Sequence, residues 1–225
     1  MNLKEKTAVI TGGASGIGNE LVKLLLIRGC KVFVLDKMAP ANPLKGVGYF
    51  QVDVTSESQL NAAFKQIKAT VDILVNNAGV MRRGTIFDTS EADYDFVMDI
   101  NLKGMWMVTK CAGSILSKKA VVLFMSSRHG MNVKADPAIY SLSKSGVWAL
   151  AKILKETRPD YKIKIAFPGS VDTALTWVGV KTADVAAKKK TVVGPDYMAS
   201  KLLELIKGDY EKLVFSEKTK RYTLA

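Results

Sequence analysis

The chain has 225 residues, 48% hydrophobic and 24% charged, which suits one ordinary globular core and is short for two. No apolar run reaches the ~18 residues of a membrane span, and the charged opening "MNLKEK" passes straight into a short apolar strand without the apolar core or cleavage site of a signal peptide, so a cytoplasmic protein with no membrane partner is expected. A formal charge of +12 permits phosphate binding, yet the lysines are spread along the chain and no aromatic residues alternate with them, so a solvated basic surface is expected in place of a nucleic-acid partner.

In chain order, the strand-like runs are "TAVIT", "KVFVLD", "GYFQVDV", "DILVNN", "AVVLFMSS", "KIKIAF" and "KLVFSE". Helical patterns fall at 17–28, 58–69, 92–116, 139–156 and 196–207. Largely apolar strands alternating with helices mean a parallel sheet covered on both faces. The expected architecture is therefore α/β, one doubly wound domain over 1–225, with about seven parallel strands and helices on both faces. Between Asp36 and Asp53 the chain holds Pro40, Pro43, Gly46 and Gly48. Prolines break helices, so a loop is expected there in place of a crossover helix. Cys30 and Cys111 lie in or beside apolar segments without metal-ligand spacing and read as small core residues; no metal site is expected. The basic runs Lys188–Lys190 and Lys218-Thr219-Lys220-Arg221 read as solvated.

The first strand runs into "Thr11-Gly12-Gly13-Ala14-Ser15-Gly16-Ile17-Gly18", where a helical pattern opens at once. Glycines let the backbone turn sharply, and the free N–H groups and dipole of a helix start favour a pyrophosphate, although such a turn can be purely structural. The next strand ends at Asp36, 18 residues past Gly18, near the spacing at which a carboxylate meets an adenosine ribose; an exposed strand end is the alternative.

Further along, "Tyr140-Ser141-Leu142-Ser143-Lys144" puts a phenol and an ammonium four apart on one helical face. An ammonium beside a phenol pulls its pKa toward neutrality and suits it to acid–base work. With 7 tyrosines and 27 lysines in the chain, about one such pair arises by chance, and a second exists at Tyr197 and Lys201. His129 and Arg128 follow Ser127 closely; they meet an anionic or acyl-carrier substrate or simply edge a loop.

Ordered motifs over nearly the whole chain resemble the short-chain dehydrogenase/reductase family. The glycine turn has the form Thr-Gly-x-x-x-Gly-x-Gly, "Asn76-Asn77-Ala78-Gly79" follows the fourth strand, and "Asp99-Ile100-Asn101-Leu102" matches the segment carrying the family's active-site asparagine. Ser127 lies 13 residues before Tyr140, and "Pro168-Gly169-Ser170-Val171-Asp172-Thr173" follows the sixth strand. Tyr197 has none of this context, which selects Tyr140.

The resemblance implies a Rossmann-type domain with a cofactor-binding half at about 1–125 and a catalytic and substrate half at about 126–225. It implies NAD(P)-dependent hydride transfer with a carbonyl or secondary alcohol, with Tyr140 as general acid/base, Ser127 holding the carbonyl oxygen, Lys144 tuning the phenol and binding ribose, and Asn101 linking Lys144 to solvent. Gly12, Ser15, Gly16, Ile17 and Gly18 fall to the pyrophosphate side, Asp53 and Val54 to the adenine, Asn77, Ala78 and Gly79 to the adjoining ribose, and Pro168, Gly169, Val171 and Thr173 to the nicotinamide. Asp36 favours NAD; Lys37 opposes it and leaves NADP open. The shortened segment 174–193, a lid in the family, offers Leu175, Trp177 and Val178 as apolar contacts. The implied partners are a small carbonyl or alcohol substrate, acyl thioesters among the candidates, and further copies of the chain in a homodimer or homotetramer. A family-fold sensor of nucleotide redox state without turnover is the alternative function.

Overall fold

Five consecutive residues of the first strand, β1 (Thr7–Thr11), are all buried, and a strand buried on both faces belongs in the middle of a covered sheet. The computed structural model, which describes residues 1–216, 219 and 221–225, has it there. Along the chain follow α1 (Gly16–Ile27), β2 (Lys31–Asp36), β3 (Val47–Gln51), α2 (Glu57–Gln66) and β4 (Val71–Asn76). Next come α3 (Glu91–Met98), α4 (Gly104–Ala112), β5 (Leu116–Met125), the single turn α5 (Arg128–Met131) and α6 (Ala138–Thr157). The last part holds β6 (Lys162–Phe167), the short α7 (Ala174–Trp177) and α8 (Val185–Lys189), then α9 (Pro195–Lys207), β7 (Lys212–Ser216) and β8 (Arg221–Leu224).

The sheet order is β3-β2-β1-β4-β5-β6-β7-β8. All seven expected strands form and pair in parallel. The eighth strand, which the sequence reading lacks, runs antiparallel to β7 with Phe215 opposite Tyr222. Glu217, at the end of "KLVFSE", and Lys218 and Lys220 of the C-terminal basic run lie outside the described residues. Strand order reverses between β1 and β4, so the loops at the carboxyl ends of those strands diverge and leave a crevice.

The α1 and α9 helices pack on each other, α2 packs on α4, and α6 packs on α3 and on the turn that joins α3 to α4. One main core runs between these layers and the sheet, from Leu21, Leu25 and Leu202 to Phe124 and Phe167. Cys30 and Cys111 are free thiols, the first buried against Leu3. The stretch between β2 and β3 has no helix, as its prolines dictate, and the Leu44 N–H is taken up by the Tyr49 hydroxyl at 3.1 Å. Lys164, only 3% exposed, donates to the carbonyls of Gly208 and Tyr210 beyond the α9 C-terminus, where the helix dipole favours a cation. Among the described residues no helix is long and apolar enough to cross a membrane, and no group of three or more acidic, His or Cys side chains is arranged to hold a metal.

The expected single helix over 92–116 is interrupted. Residues Asp99–Lys103 form a π turn in which Gly104 N–H reaches back five residues to the Asp99 carbonyl. Such wide turns are uncommon and gather at functional sites. Here the turn carries Asn101.

Candidate active site

Pro137 opens α6, and Tyr140, Ser143, Lys144, Val147 and Ala151 form its buried stripe. Tyr140 and Lys144 therefore enter the interior together, at 7% and 3% exposure. Ser127 ends the β5 extension and caps α5 by accepting from His129 N–H at 3.2 Å. Its hydroxyl also stands close enough to the Tyr140 phenol to favour the ionised form. Asn101 is fully buried; its amide spans the Val80 backbone, accepting from N–H at 2.8 Å and donating to the carbonyl at 2.9 Å, and donates also to Ser143 Oγ at 3.0 Å. The Lys144 ammonium donates to the Met125 carbonyl at 2.9 Å and lies over the Tyr140 ring, 5.7 Å from its centroid. A side chain at Gly79 would meet both Asn101 Oδ1 and Lys144 Nζ, so those two polar ends border the same backbone. All four predicted catalytic side chains thus gather in one region.

The expected acidification of Tyr140 is reversed in the folded chain. Burial raises the phenol above its ordinary value, and the Ser127 hydroxyl offsets only part of that. Burial also pushes Lys144 down to about 7, and its nitrogen addresses the ring face and a carbonyl. Sequence spacing made the two residues neighbours; desolvation decided the sign.

A cleft of about 830 Å³, within the ~300–1,000 Å³ typical of cofactor sites, runs from the glycine turn to this group. Every predicted cofactor residue except Gly18 lines it: Gly12, Ser15, Gly16, Ile17, Asp36, Asp53, Val54, Asn77, Ala78, Gly79, Tyr140, Lys144, Pro168, Gly169, Val171 and Thr173. Gly18 faces the other way. A Cβ there would lie 2.2 Å from the Gly12 carbonyl oxygen, so this glycine lets α1 press against the turn. Asn101 also stays behind the cleft wall. Sequence reasoning missed Phe96, Ile100 and Met125 on the wall; Phe96 and Ile100 stand four apart, a helical spacing that was the available signal.

The donor set fits a dinucleotide. Helices α2 and α3 are capped by the hydroxyls of Ser56 and Ser90, whereas Ser15 leaves the start of α1 without a side-chain cap at the cleft. Asp36 accepts from Ala14 N–H through Oδ2 and from Met38 N–H through Oδ1, both at 2.9 Å, which fixes its carboxylate at the turn. Lys37 pairs with Asp53 at 2.9 Å, and this bond, chiefly, holds the Asp53 carboxyl down at about 2.

On the other side of Tyr140, a second apolar cluster joins it to Met81, Val97 and Ile139, with Leu175 and Val178 packed on it. The Trp177 indole donates instead to Asp172, and Trp177 does not line the cleft. Lys188, expected in solvent, is partly buried and donates to the Thr176 carbonyl; burial, then the charges of Arg83 and Arg128, push its pKa down. Lys189 and Lys190 are exposed. His129 stands edge-on to the Tyr140 ring at 5.8 Å. The rival Tyr197 has its own lysine over the ring at 5.9 Å but is 41% exposed on α9 and away from the cleft.

Residues 6–183 match the family model described as short chain dehydrogenase. Oxidoreductase UcpA of Salmonella typhimurium is 36% identical over 190 residues, covering 77% of this chain and 72% of that one. The short-chain dehydrogenase/reductase prx4 of Penicillium rubens is 34% identical over 196 residues, covering 82% and 58%. Among solved structures, gox2181 superposes with a TM-score of 0.82 at 25% identity over 92% of this chain and 91% of its own. Aldohexose dehydrogenase of Thermoplasma acidophilum, at 24% identity, a TM-score of 0.80 and coverage of 91% and 88%, shares the fold. The chain belongs to the short-chain dehydrogenase/reductase family and is one of its oxidoreductases.

Proposed function

We propose that the protein moves a hydride between a nicotinamide cofactor and a carbonyl or secondary alcohol of a small molecule, with Tyr140 as proton donor and acceptor. The observation carrying this reading is the convergence of Tyr140, Ser127 and Lys144 at the cleft, with Asn101 directly behind its wall, while the Tyr197–Lys201 pair of equal spacing lies outside it. The family's cofactor is NAD(P), which supplies or takes the hydride when bound. The uncapped start of α1 would hold its pyrophosphate, Asp36 and the Asn77–Gly79 segment its adenosine end, and the Pro168–Thr173 segment its nicotinamide.

Tyr140 donates a proton to the developing alkoxide in reduction and accepts it in oxidation. Ser127, beside the phenol, holds the carbonyl oxygen next to it. Lys144 stabilises the phenolate when one forms and binds ribose. Asn101, clamped by Val80 and Ser143, shapes the wall along which the ammonium exchanges protons with solvent. Burial keeps the phenol protonated, which is the form ready for carbonyl reduction. A screen following absorbance of reduced nicotinamide against 3-oxoacyl thioesters, diketones, steroids and sugars tests the reading; no consumption with any class, together with tight cofactor binding, would favour a redox sensor instead.

The assembly reading rests on the α4–α6 surface. Met98, Leu102, Trp106, Gly146, Leu150 and Ile153 line an apolar groove there, with Trp106 46% and Ile153 61% exposed. Trp148, expected to add to that face, turns inward and packs edge-on against Phe167. An apolar helical face this open fits a symmetric partner. Light scattering at micromolar concentration should give a dimer or tetramer, and Ile153→Asp should shift the mass toward the monomer; a monomeric wild type would contradict the assembly.

A further inference from the structure

The peptide unit joining Pro168 to Gly169 is held from both sides. Its carbonyl accepts from Arg128 N–H at 2.9 Å, on the residue following Ser127. Its N–H donates to the Tyr222 hydroxyl at 3.2 Å, from the terminal strand β8. Both Pro168 and Gly169 line the cleft. Tyr222 stands opposite Phe215 in the β7–β8 ladder, with ring centroids 5.2 Å apart, and Tyr197 closes the group at 6.0 Å. Phe215 fills the space a side chain on Gly169 would need: an added Cβ would lie 2.6 Å from its ring. The aromatic pair of the hairpin is thus built against the back of this one peptide.

We infer that Tyr222 is a positioning residue for the cofactor: it fixes the plane of the Pro168–Gly169 peptide, and with it the cleft wall that bears the nicotinamide in the reading above. A peptide plane tied at one edge rotates about its neighbouring bonds; tied at both edges it does not. The Ser127 side already supplies one tie through Arg128 N–H, so the β8 hydroxyl sets the wall in register with the catalytic serine. Burial pushes the Tyr222 phenol up to about 12, so it remains a neutral hydroxyl across the working range. The antiparallel strand thereby has a task beyond extending the sheet edge. The second tyrosine–lysine pair also gains a physical account, since Tyr197 packs behind the hydroxyl-bearing ring.

The test is Tyr222→Phe, which keeps the ring on Phe215 and removes only the hydroxyl. Dissociation constants for NADH and NADPH are measured by fluorescence without substrate, and amide hydrogen exchange is followed at Gly169. The tighter cofactor should bind about fivefold more weakly, the fold-change of one ordinary hydrogen bond. Its KM should rise with kcat nearly constant, and Gly169 should exchange faster than its neighbours, with Tm falling by no more than the few degrees of one lost hydrogen bond. A substitution that only loosened packing would lower Tm and leave the cofactor KM alone. Unchanged affinity and exchange in a variant whose wild type binds cofactor would overturn the clamp. A wild type that binds neither cofactor would overturn the reading of the cleft, and Gly169 exchange would then judge the peptide clamp by itself.

Discussion

Tyr140→Phe should lower turnover by on the order of 10²-fold or more and leave cofactor affinity nearly intact. The phenylalanine ring keeps its place among Met81, Val97 and Ile139, so the substitution removes the proton and little packing. Tyr197→Phe, with the same distance in sequence to its lysine, should change little, because that ring is partly exposed, does not line the cleft, and keeps its packing on Tyr222 as phenylalanine. The pH dependence adds a second signature with a definite sign. Burial raises the Tyr140 pKa, so alcohol oxidation, which needs the deprotonated phenol, should climb with pH through the alkaline range. Carbonyl reduction, which needs the protonated phenol, should stay level over that range and fall only when the phenol ionises. The residual rate of Tyr140→Phe should lack both features. Steady-state kcat for the wild type and both variants across pH checks this; equal losses from the two substitutions would remove Tyr140 from its role.

How far the sequence carries depends on whether a feature is set locally. The β1 strand and the Ala120–Met125 part of β5 were legible because a strand buried on both faces is largely apolar, whatever its neighbours. The missing helix between β2 and β3 was legible because Pro40 and Pro43 forbid it whatever surrounds them. The π turn was not, since the Asp99–Lys103 composition is ordinary for a helix and the widened register accompanies Asn101 binding Val80 on a distant loop. Strand β8 was not either: four residues, "RYTL", acquire strand geometry from the β7 ladder they join. The site divides in the same way. Residue types and spacing brought Ser127, Tyr140 and Lys144 together, yet the direction of the Tyr140 shift depends on burial, which only the assembled layers determine. Gly18 illustrates the remaining gap: its motif position is readable, but whether a glycine touches ligand or lets two backbones touch each other is a question of packing.

NADH should be preferred over NADPH by at least about tenfold in kcat/KM, and Asp36→Ala should erase most of that ratio. Asp36 ends β2 at the cleft, and each of its oxygens accepts one backbone N–H, which leaves further lone pairs for the two ribose hydroxyls. Those same bonds to Ala14 and Met38 hold the carboxylate in place, so it has little freedom to turn away from a 2′-phosphate. At ~4 Å and an effective dielectric of ~20 a pair of like unit charges repels by about 4 kcal/mol before screening, and each ~1.4 kcal/mol that survives is tenfold. The opposing group is Lys37. Its ammonium is engaged by Asp53, so reaching a phosphate requires giving up that pair; with the Lys37 side chain 71% exposed, the pair itself is weak. The repulsion from Asp36 is therefore the larger effect, and Lys37 softens it without reversing it. Measuring kcat/KM with both cofactors in the wild type, Asp36→Ala and Lys37→Ala separates the two contributions: Asp36→Ala should gain on NADPH and lose on NADH, while Lys37→Ala should widen the wild-type ratio slightly. A wild type that prefers NADPH, with a ratio that Asp36→Ala leaves unmoved, would mean that this carboxylate does not read the ribose.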